Sequence, residues 1–213
     1  MPVWVIVVAA GSGTRFGGAK QFARIGDATI LDRAVRTARE HADGVVVALA
    51  PDAQWDPPPG VVATVGGATR SESVRSGLAL VPDDAEVVVV HDAARPLAPP
   101  ALFDAVIRAV LDGADAAIPV LPIVDTIKRV DGGRVLETLP RDDLVAVQTP
   151  QAFRATVLRA AHAAGGTGTD DAALVEAAGG TVVCVPGDPR NLKVTVAADL
   201  DVVRALLDAG GGG

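Results

Sequence analysis

The 213-residue sequence predicts one α/β domain spanning 1–213, a Rossmann-like fold with a mostly parallel twisted sheet and helices on both of its faces. Three observations predict this class. Runs of β-branched apolar residues alternate with segments of helical spacing, a glycine-rich loop follows the first such run, and neither a repeat nor a linker divides the chain. Hydrophobic residues make up 49% of the chain and charged residues 21%, the balance of a folded globular protein.

The first half of the chain alternates strands with helices. A continuous apolar run at 3–9 predicts a strand buried on both faces, and it ends in a glycine loop. Apolar residues at helical spacing predict a helix over 30–41, and another buried strand follows at 45–50. The other predicted elements of this half are a strand at 61–65, a helix at 71–81 and a strand at 86–90 that stops at His91-Asp92.

The second half adds a β-hairpin to the same alternation. A helix begins at Pro99-Pro100, where proline suits a first turn, and a strand follows at 116–121. Two alternating segments around Gly132-Gly133 predict a hairpin, which forms an arm of about 124–148 protruding from the domain. The other predicted elements are helices at 152–164, 170–178 and 198–209, a strand at 181–185, and a disordered tail at 210–213.

Composition and charge exclude several classes of function. The net charge of −7 argues against nonspecific nucleic-acid binding, which depends on a basic surface. No apolar run approaches the ~20 residues of a membrane-spanning helix, and no basic region precedes the first apolar run. We therefore expect a cytoplasmic protein with neither a nucleic acid nor a membrane as partner. Cys184 is the single cysteine, and its valine-rich surroundings predict a buried structural thiol.

The strongest local signal is the loop after the first predicted strand. Its small residues, from Ala10 to Gly13, let the backbone approach a ligand, and their amides can hold phosphate oxygens. Arg15 and Lys20 add two positive charges, and the lysine is distinctive because the chain has 16 arginines but only three lysines. The segment matches neither the P-loop nor the dinucleotide fingerprint. We predict an anion site here, the alternative being a flexible turn with two solvated charges.

Two further loops follow predicted strands. The loop that starts with Gly66-Gly67 could contact a base or a phosphate through its amides, whereas Thr69 or Ser71 could simply cap the next helix. Asp92, at a strand end, is a candidate for binding a metal ion or a ribose hydroxyl, and the alternative is a structural pair with Arg95.

Taken together, these segments resemble one family. The motifs that carry the resemblance are AAGSGTRFGGAKQF, GGATRSESV, VVVVHDAARP, DTIKR, LVAVQTPQAF, TDDAALVEAAGG and NLKVT, in that order. They are similar to those of the bacterial 2-C-methyl-D-erythritol 4-phosphate cytidylyltransferases of the non-mevalonate isoprenoid pathway, and the resemblance extends from Val3 to about Leu207. The loop between Arg15 and Lys20 looks two residues shorter than is usual in the family, and Ala19 replaces the proline that commonly precedes this lysine.

The resemblance implies an activity and a set of site residues. The implied reaction is transfer of the cytidylyl group of CTP to the polyol phosphate with Mg²⁺ or another divalent cation, and the implied fold is a nucleotidyltransferase domain that dimerises through the hairpin arm. Arg15 and Lys20 resemble transition-state stabilisers, and Arg141 and Lys193 resemble the residues that position the incoming phosphate. The implied nucleotide-binding residues are Ala9, Ala10, Gly11, Gly13, Gly66, Gly67, Ser73 and Asp92, with Asp92 also the metal candidate; the implied acceptor-binding residues are Thr126, Arg141, Thr149, Thr169 and Lys193, with Thr126 and Arg141 serving the partner's site.

Two other functions stay open at this point. The first is a cytidylyltransferase of the same architecture that acts on ribitol 5-phosphate, from which only the acceptor pocket around Arg141, Thr149, Thr169 and Lys193 would distinguish this chain. The second is a nucleotide-binding homologue without catalysis, against which the presence of both Arg15 and Lys20 argues.

Overall fold

The computed structural model describes residues 1–165, 168 and 170–210. Within these residues the chain forms twelve strands, six α-helices and one 3₁₀ turn. In chain order they are β1 (Val3–Ala9), the 3₁₀ turn (Lys20–Phe22), β2 (Arg24–Ile25), β3 (Ala28–Thr29), α1 (Ile30–Glu40), β4 (Gly44–Leu49), β5 (Val61–Val65), α2 (Arg70–Leu78), β6 (Val87–Asp92), α3 (Pro100–Leu111), β7 (Ala116–Pro122), β8 (Ile127–Asp131), β9 (Arg134–Leu139), β10 (Val145–Val147), β11 (Gln151–Arg154), α4 (Ala155–Ala163), α5 (Asp171–Ala177), β12 (Val182–Pro186) and α6 (Asp199–Gly210).

The central sheet is mostly parallel. Strands β5, β4, β1, β6, β11 and β7 lie side by side in that order, and β10 and β12 both pair with β7. The pairs β1–β4, β1–β6, β4–β5 and β7–β12 are parallel, whereas β11 runs antiparallel between β6 and β7, and β10 is antiparallel to β7. The predicted fold class is therefore confirmed.

Successive side chains of β1 enter two cores on opposite faces of the sheet. Val5 and Val7 belong to the core that α1 and α3 cover, and Ile6 belongs to the core that α2, α4 and α5 cover. All three side chains are fully buried, and burial of each contributes about 1.5–3 kcal/mol. Because both faces are covered, the strand is apolar throughout rather than alternating, as the sequence predicted.

Side-chain caps fix where the first two helices begin. At α1, the Thr29 hydroxyl accepts the N–H of Asp32 at 3.1 Å, and the Asp32 carboxylate accepts the N–H of Thr29 at 3.1 Å. Thr69 and Glu72 make the same reciprocal pair at α2, at 3.2 and 3.0 Å. Each pair satisfies N–H groups that a helix start leaves without partners. Thr69 is therefore a helix cap, one of the two roles that the sequence left open for this loop.

Two predicted boundaries near the site are wrong. Strand β6 does not stop before His91 and Asp92, because these residues continue the parallel pairing with β1. Residues 151–154 form strand β11 instead of the start of the helix predicted over 152–164, and α4 begins only at Ala155. The fully buried Phe153 packs into the core on the α2 face, and a run of four residues is too short for its periodicity to distinguish strand from helix.

The predicted hairpin is confirmed, with a shorter extent. Strands β8 and β9 pair only with each other in the described chain and form a sheet separate from the central one. Val130, Val135 and Leu136 on this hairpin are each more than half exposed. Residues 145–147, however, return to the central sheet as β10, so the part outside that sheet ends before the predicted limit at 148.

Two predictions near the C-terminus are also corrected. Cys184 is exposed rather than buried, because β12 pairs with β7 alone among the described strands and presents this side chain outward. Helix α6 includes Gly210, where the tail was predicted to begin, and residues 211–213 lie outside the described residues. None of the helices in the described ranges has both the length and the apolar character needed to cross a membrane.

Candidate active site

The candidate site lies where the strand order of the sheet reverses. The chain passes from β1 to β4 and β5 on one side, whereas β6 lies on the other side of β1, so the carboxyl ends of β1 and β6 flank a switch point. A cavity of about 340 Å³ opens at this edge; we call it the first cavity. Its lining residues are Val8, Ala9, Ala10, Gly11, Arg15, Lys20, Gln21, Gly67, Ala68, Thr69, Arg70, Ser73, Asp92, Ala93, Ala94 and Lys193.

The loop after β1 folds back on itself and brings two cations to this cavity. The carbonyl of Gly13 accepts the N–H groups of Phe16 and Gly17 at 2.9 and 3.0 Å. Gly13 has a φ of +64°, and a Cβ there would lie 1.9 Å from the carbonyl oxygen of Gly18, so only glycine fits this turn. Both Arg15 and Lys20 then reach the first cavity, as the anion-site interpretation requires.

Glycine also allows two strand ends to approach each other closely. A Cβ on Gly66 would lie 2.5 Å from the Cβ of Ala10 and 2.8 Å from Oγ of Ser73. The N–H of Gly67 donates to the Ser73 hydroxyl at 3.2 Å, and that hydroxyl donates to the carbonyl of Thr69 at 3.0 Å. The result is a wall of backbone groups and short side chains, whose fixed positions suit recognition of a small planar ring.

Asp92 stands between two cations at the end of β6. Lys193 Nζ donates to its Oδ2 at 2.6 Å, and Arg70 Nε donates to its Oδ1 at 3.2 Å. Burial by itself raises the pKa of this carboxyl, but the charges of Arg70 and Lys193 hold the pKa well below its usual range. The Asp92 N–H donates to the Thr149 hydroxyl at 3.0 Å, which ties β6 to the segment before β11.

Lys20 lies in the same electrostatic environment. Its Nζ donates to the carbonyl of Val194 at 2.7 Å, which places it beside the Lys193 loop. Burial lowers the pKa of Lys20, and the neighbouring Lys193 lowers it further, against the opposing effect of Asp92. Negative charge from a bound phosphate would relieve this repulsion, so the cluster of cations favours an anionic ligand.

A second cavity, of about 260 Å³, adjoins the first; it is lined by Arg70, Asp92, Arg95, Val147, Thr149, Gln151, Asp170 and Lys193. Arg70, Asp92 and Lys193 line both cavities, and we call these three residues the shared wall. Beyond this wall the second cavity offers the cation Arg95, the polar groups of Thr149 and Gln151, and the carboxylate of Asp170, which accepts from Gln151. Two ligands bound side by side would therefore meet at the shared wall.

The structure brings most of the predicted site residues together. Ala9, Ala10, Gly11, Arg15, Lys20, Gly67, Ser73, Asp92 and Lys193 line the first cavity, and Thr149 lines the second together with Lys193. Gly13 and Gly66 shape the loops of the first cavity without lining it.

Three predicted acceptor residues are not placed at these cavities. Thr126 is exposed on the hairpin arm, and Arg141 is also exposed and donates to the carbonyl of Val124. Neither residue lines the two cavities formed by the described chain, so their role in a partner's site stays a prediction. Thr169 lies outside the described residues.

Arg70 is the main site residue that the sequence analysis missed. It is the first residue of α2 and follows the capping Thr69, so in the sequence it looks like an ordinary residue at the start of a helix. Its side chain is held by Asp92 and by Asp171, at 3.2 and 2.5 Å. Burial by itself lowers the pKa of Arg70, but these two carboxylates raise the pKa above its ordinary value. An arginine directly after a glycine loop, facing a strand-end aspartate, is the signal that could have identified it.

A larger cavity, of about 920 Å³, lies elsewhere and carries none of the predicted site residues. It is bordered by Arg33, Asp188, Arg190 and residues of α6, and it lacks the glycine loops of the first cavity.

Within the described residues, no group of three or more His, Cys, Asp or Glu side chains could hold a metal ion. Asp92 is the acidic residue among those that line the first cavity.

Comparisons with known proteins identify the family of this chain. The family model of 2-C-methyl-D-erythritol 4-phosphate cytidylyltransferase (IspD) matches residues 3–209. Proteins of that name from Frankia casuarinae and Rhodococcus jostii are 50% and 46% identical to this chain; the alignments cover 96% and 98% of it, and 81% and 96% of the relatives. The crystal structure of the cytidylyltransferase from Thermus thermophilus matches with a TM-score of 0.86 at 37% identity, covering 98% of this chain and 100% of that chain. With almost its whole length matched in both sequence and fold, this chain belongs to the 2-C-methyl-D-erythritol 4-phosphate cytidylyltransferase family.

Proposed function

We propose that this protein transfers the cytidylyl group of CTP to 2-C-methyl-D-erythritol 4-phosphate in isoprenoid precursor biosynthesis. The products are 4-diphosphocytidyl-2-C-methyl-D-erythritol and pyrophosphate. The observation that carries the proposal is the shared wall of Arg70, Asp92 and Lys193 between two cavities. One cavity has the glycine loops and cations that suit a nucleotide, and the other has the cations and polar groups that suit a polyol phosphate. Family membership supports the same pair of substrates.

The reaction needs alignment and charge neutralisation rather than a general base. An anionic oxygen of the acceptor phosphate attacks the α-phosphorus of CTP, a new P–O bond forms, and the bond to the leaving pyrophosphate breaks with its electron pair. Lys20 and Arg15 lie where they can neutralise charge on the phosphates as it builds up. Burial lowers the pKa of His91 to about 4, so this residue beside the site stays neutral, and its Nδ1 lies 3.2 Å from the Thr149 hydroxyl. His91 therefore orients Thr149 and need not move a proton.

The wall formed by Ala10, Gly67 and Ser73 is the proposed reader of cytosine. Backbone N–H and C=O groups there are fixed by the hydrogen bonds around Ser73 and by the close contact of Gly66 with Ala10. Fixed donors and acceptors distinguish bases by their hydrogen-bonding edges, because a mismatched buried group loses a partner. The small size of these side chains lets a ring approach the backbone groups closely.

Magnesium fits this site as an ion held largely by the nucleotide. Mg²⁺ is usually bound by one or two carboxylates together with substrate phosphates and water. Asp92 supplies one ionised carboxylate in the first cavity, although Lys193 and Arg70 contact its oxygens in the present structure. We propose that Asp92 helps to hold the ion with the triphosphate; when bound, the ion neutralises phosphate charge.

A homodimer through the hairpin arm completes the proposal. The arm exposes apolar side chains, including Val130, Val135 and Leu136, and an isolated two-stranded hairpin is marginally stable in water. A second copy of the chain is the partner we propose for it. Arg141 and Thr126 on or beside the arm would then approach the acceptor phosphate of the neighbouring subunit.

We propose a cytoplasmic location, where CTP is available, and no partner of the nucleic-acid or membrane class. Both proposed substrates are small anions, and the cations that would bind them are gathered around the shared wall of a chain whose net charge is −7.

A pyrophosphate-release assay tests the proposed function. Purified protein is incubated with CTP, Mg²⁺ and either 2-C-methyl-D-erythritol 4-phosphate or ribitol 5-phosphate, and the cytidylylated product is identified by mass spectrometry. We expect release that depends on the methylerythritol phosphate. Turnover with ribitol 5-phosphate alone would identify the alternative enzyme, and CTP binding without turnover of either acceptor would identify a catalytically silent homologue.

A further inference from the structure

A chain of ion pairs runs from the interior of the protein to the shared wall. His162 Nε2 lies 2.9 Å from Oδ1 of Asp171, and Oδ2 of Asp171 accepts from Nη1 of Arg70 at 2.5 Å. Arg70 Nε donates to Oδ1 of Asp92 at 3.2 Å, and Oδ2 of Asp92 accepts from Lys193 at 2.6 Å. Helices α2, α4 and α5 and the loop that carries Lys193 are therefore joined to β6 by one continuous set of polar contacts.

The two innermost residues of this series of ion pairs, His162 and Asp171, have no part in the reaction described above. His162 on α4 is 3% exposed, Asp171 at the start of α5 is fully buried, and neither lines the first or the second cavity. A buried carboxylate is costly unless each of its oxygens is paired. Here Arg70 pairs with one oxygen and His162 with the other, so the orientation of the carboxylate is fixed from both sides.

We propose that His162 is a positioning residue for the transfer reaction. By donating from Nε2 to Asp171, it holds the second carboxylate oxygen toward Arg70, and Arg70 in turn fixes Asp92 and Lys193 in the shared wall. This proposal rests on the proposed function, because it assigns the shared wall to the two substrates. Nη2 of Arg70 is buried and has no hydrogen-bond partner in the described part of the chain, so Asp92 and Asp171 are the carboxylates that hold this side chain.

The two cavities depend on this arrangement to different degrees. The first cavity also has Arg15, Lys20 and the wall around Gly67, and within the described residues none of these forms a hydrogen bond or ion pair with His162 or Asp171. The second cavity takes its cations from the shared wall and Arg95. Loosening Arg70 should therefore weaken binding of the acceptor phosphate and slow the chemical step, while CTP binding changes little.

A matched pair of variants tests the proposal. His162→Leu keeps an apolar side chain of similar size but removes the donor, whereas His162→Gln keeps an N–H donor near the position of Nε2. For His162→Leu we expect the acceptor KM to rise about ten-fold and kcat to fall about ten-fold, since hydrogen bonds to buried charged groups are typically worth a factor of about 10–100. The Kd of CTP, measured by calorimetry without acceptor, should change less than about two-fold, and His162→Gln should recover most of both losses.

Arg159→Met is the structural control on the same helix. Arg159 donates to the carbonyls of Leu78, Val81 and Pro82, so its loss loosens α4 without touching Asp171. We expect this variant to lower the melting temperature and to leave both KM values unchanged. Any merely structural effect of His162→Leu would behave in the same way.

A double-mutant cycle with Asp171→Asn identifies the path of the effect. If His162 acts through Asp171, adding His162→Leu to Asp171→Asn should change the acceptor KM less than about two-fold. Should His162→Leu not fold, Asp171→Asn alone must raise the acceptor KM, because it removes the charge at constant volume. Wild-type turnover with an unchanged acceptor KM in His162→Leu, or in Asp171→Asn, overturns the inference; absence of wild-type turnover instead overturns the proposed function.

Discussion

Lys193 and Asp92 form an ion pair at 2.6 Å although 101 residues separate them in the chain. The pair joins the loop before α6 to the end of β6, and it occupies the position that the two proposed substrates would share. A phosphate that binds Lys193 must therefore compete with a carboxylate already in place. The predictions below concern the residues that surround this pair.

Replacement of Lys20 by alanine should abolish most of the turnover and leave the fold intact. The side chain reaches the first cavity from a loop, and its only hydrogen bond among the described residues is to the carbonyl of Val194. Loss of one such electrostatic group typically costs ~2.7–4 kcal/mol, or about 10²–10³ in kcat. Steady-state kinetics and circular dichroism measure the two effects. Arg36→Ala, which removes an exposed cation from α1, is the control, and near-normal turnover of Lys20→Ala would refute the assignment.

CTP should be clearly preferred over UTP and ATP. The wall of Ala10, Gly67 and Ser73 has fixed hydrogen-bonding groups, so a base with a different hydrogen-bonding edge, whether pyrimidine or purine, leaves a group without a partner. We expect kcat/KM to be about 10- to 100-fold lower for UTP, in line with the cost of one unpaired buried group. Competition assays with the three nucleotides measure this ratio. Equal rates with ATP would contradict the role of the wall.

Two inactive variants should complement each other if the arm serves the partner. Arg141 is exposed and lines neither the first nor the second cavity of its own chain, and a guanidinium can hold a phosphate bidentately across an interface. Mixing Lys20→Ala with Arg141→Ala chains would then produce heterodimers with one doubly damaged site and one intact site. Activity should return to about half of the wild-type value per heterodimer.

Each variant incubated alone under the same exchange conditions is the control for this experiment. Heterodimers verified by mass spectrometry but as inactive as either parent would place Arg141 in the site of its own subunit. Failure to detect any dimer by light scattering would remove the basis of the proposal altogether.

Protein stability should fall as the pH is lowered from about 6.5 toward 4, because of His91. Burial lowers the pKa of His91 to about 4, so between this value and the ordinary 6.5 the unfolded chain binds a proton that the folded chain does not. The contribution of His91 to the free energy of unfolding is therefore complete above pH 6.5. It is lost progressively below that pH, by at most about 1.4 kcal/mol per pH unit. The pKa of Asp92 is also lowered in the folded protein, so this residue adds a further loss of stability only below its ordinary pKa of 3.8.

Urea unfolding at several pH values checks this prediction. His91→Asn keeps a polar group near Nδ1 for Thr149 and removes the titration, so the variant should be less stable at pH 7 but show a flatter profile between pH 4 and 6.5. Parallel profiles for the variant and the wild type would show that His91 is not the titrating group.

The sequence was sufficient to predict the parts of the site that depend on strand ends and glycine loops. An apolar run that ends in small residues has few alternatives to a buried strand followed by a loop, and the chain near Ala10, Lys20 and Gly67 follows this pattern. The antiparallel strand β11 was missed because its four residues also fit the start of a helix. The extent of the domain as a single unit and the arm's partner stay predictions.

Long-range pairing explains why Arg70 and Asp171 were not recognised. Each residue is the first of its helix, a position where its type is ordinary, so the local sequence gives no sign of a special role. Their contact joins positions 101 residues apart. Cys184 shows the opposite error, since an apolar neighbourhood in the chain indicates burial only if a second strand or helix covers it. Such contacts depend on the packing of whole elements, which local periodicity does not describe.

The position of the arm in the chain has a consequence for how the contacts to the acceptor can change. Val147, the last residue of β10, lines the second cavity, and only residue 148 separates it from Thr149. The arm and the acceptor end are thus contiguous in the chain, whereas the cytosine wall and the glycine loop come from residues before 95. Exchanging a segment of about 123–151 between relatives would therefore replace the arm together with Val147, Thr149 and Gln151 of the second cavity, while the host keeps its cytosine wall.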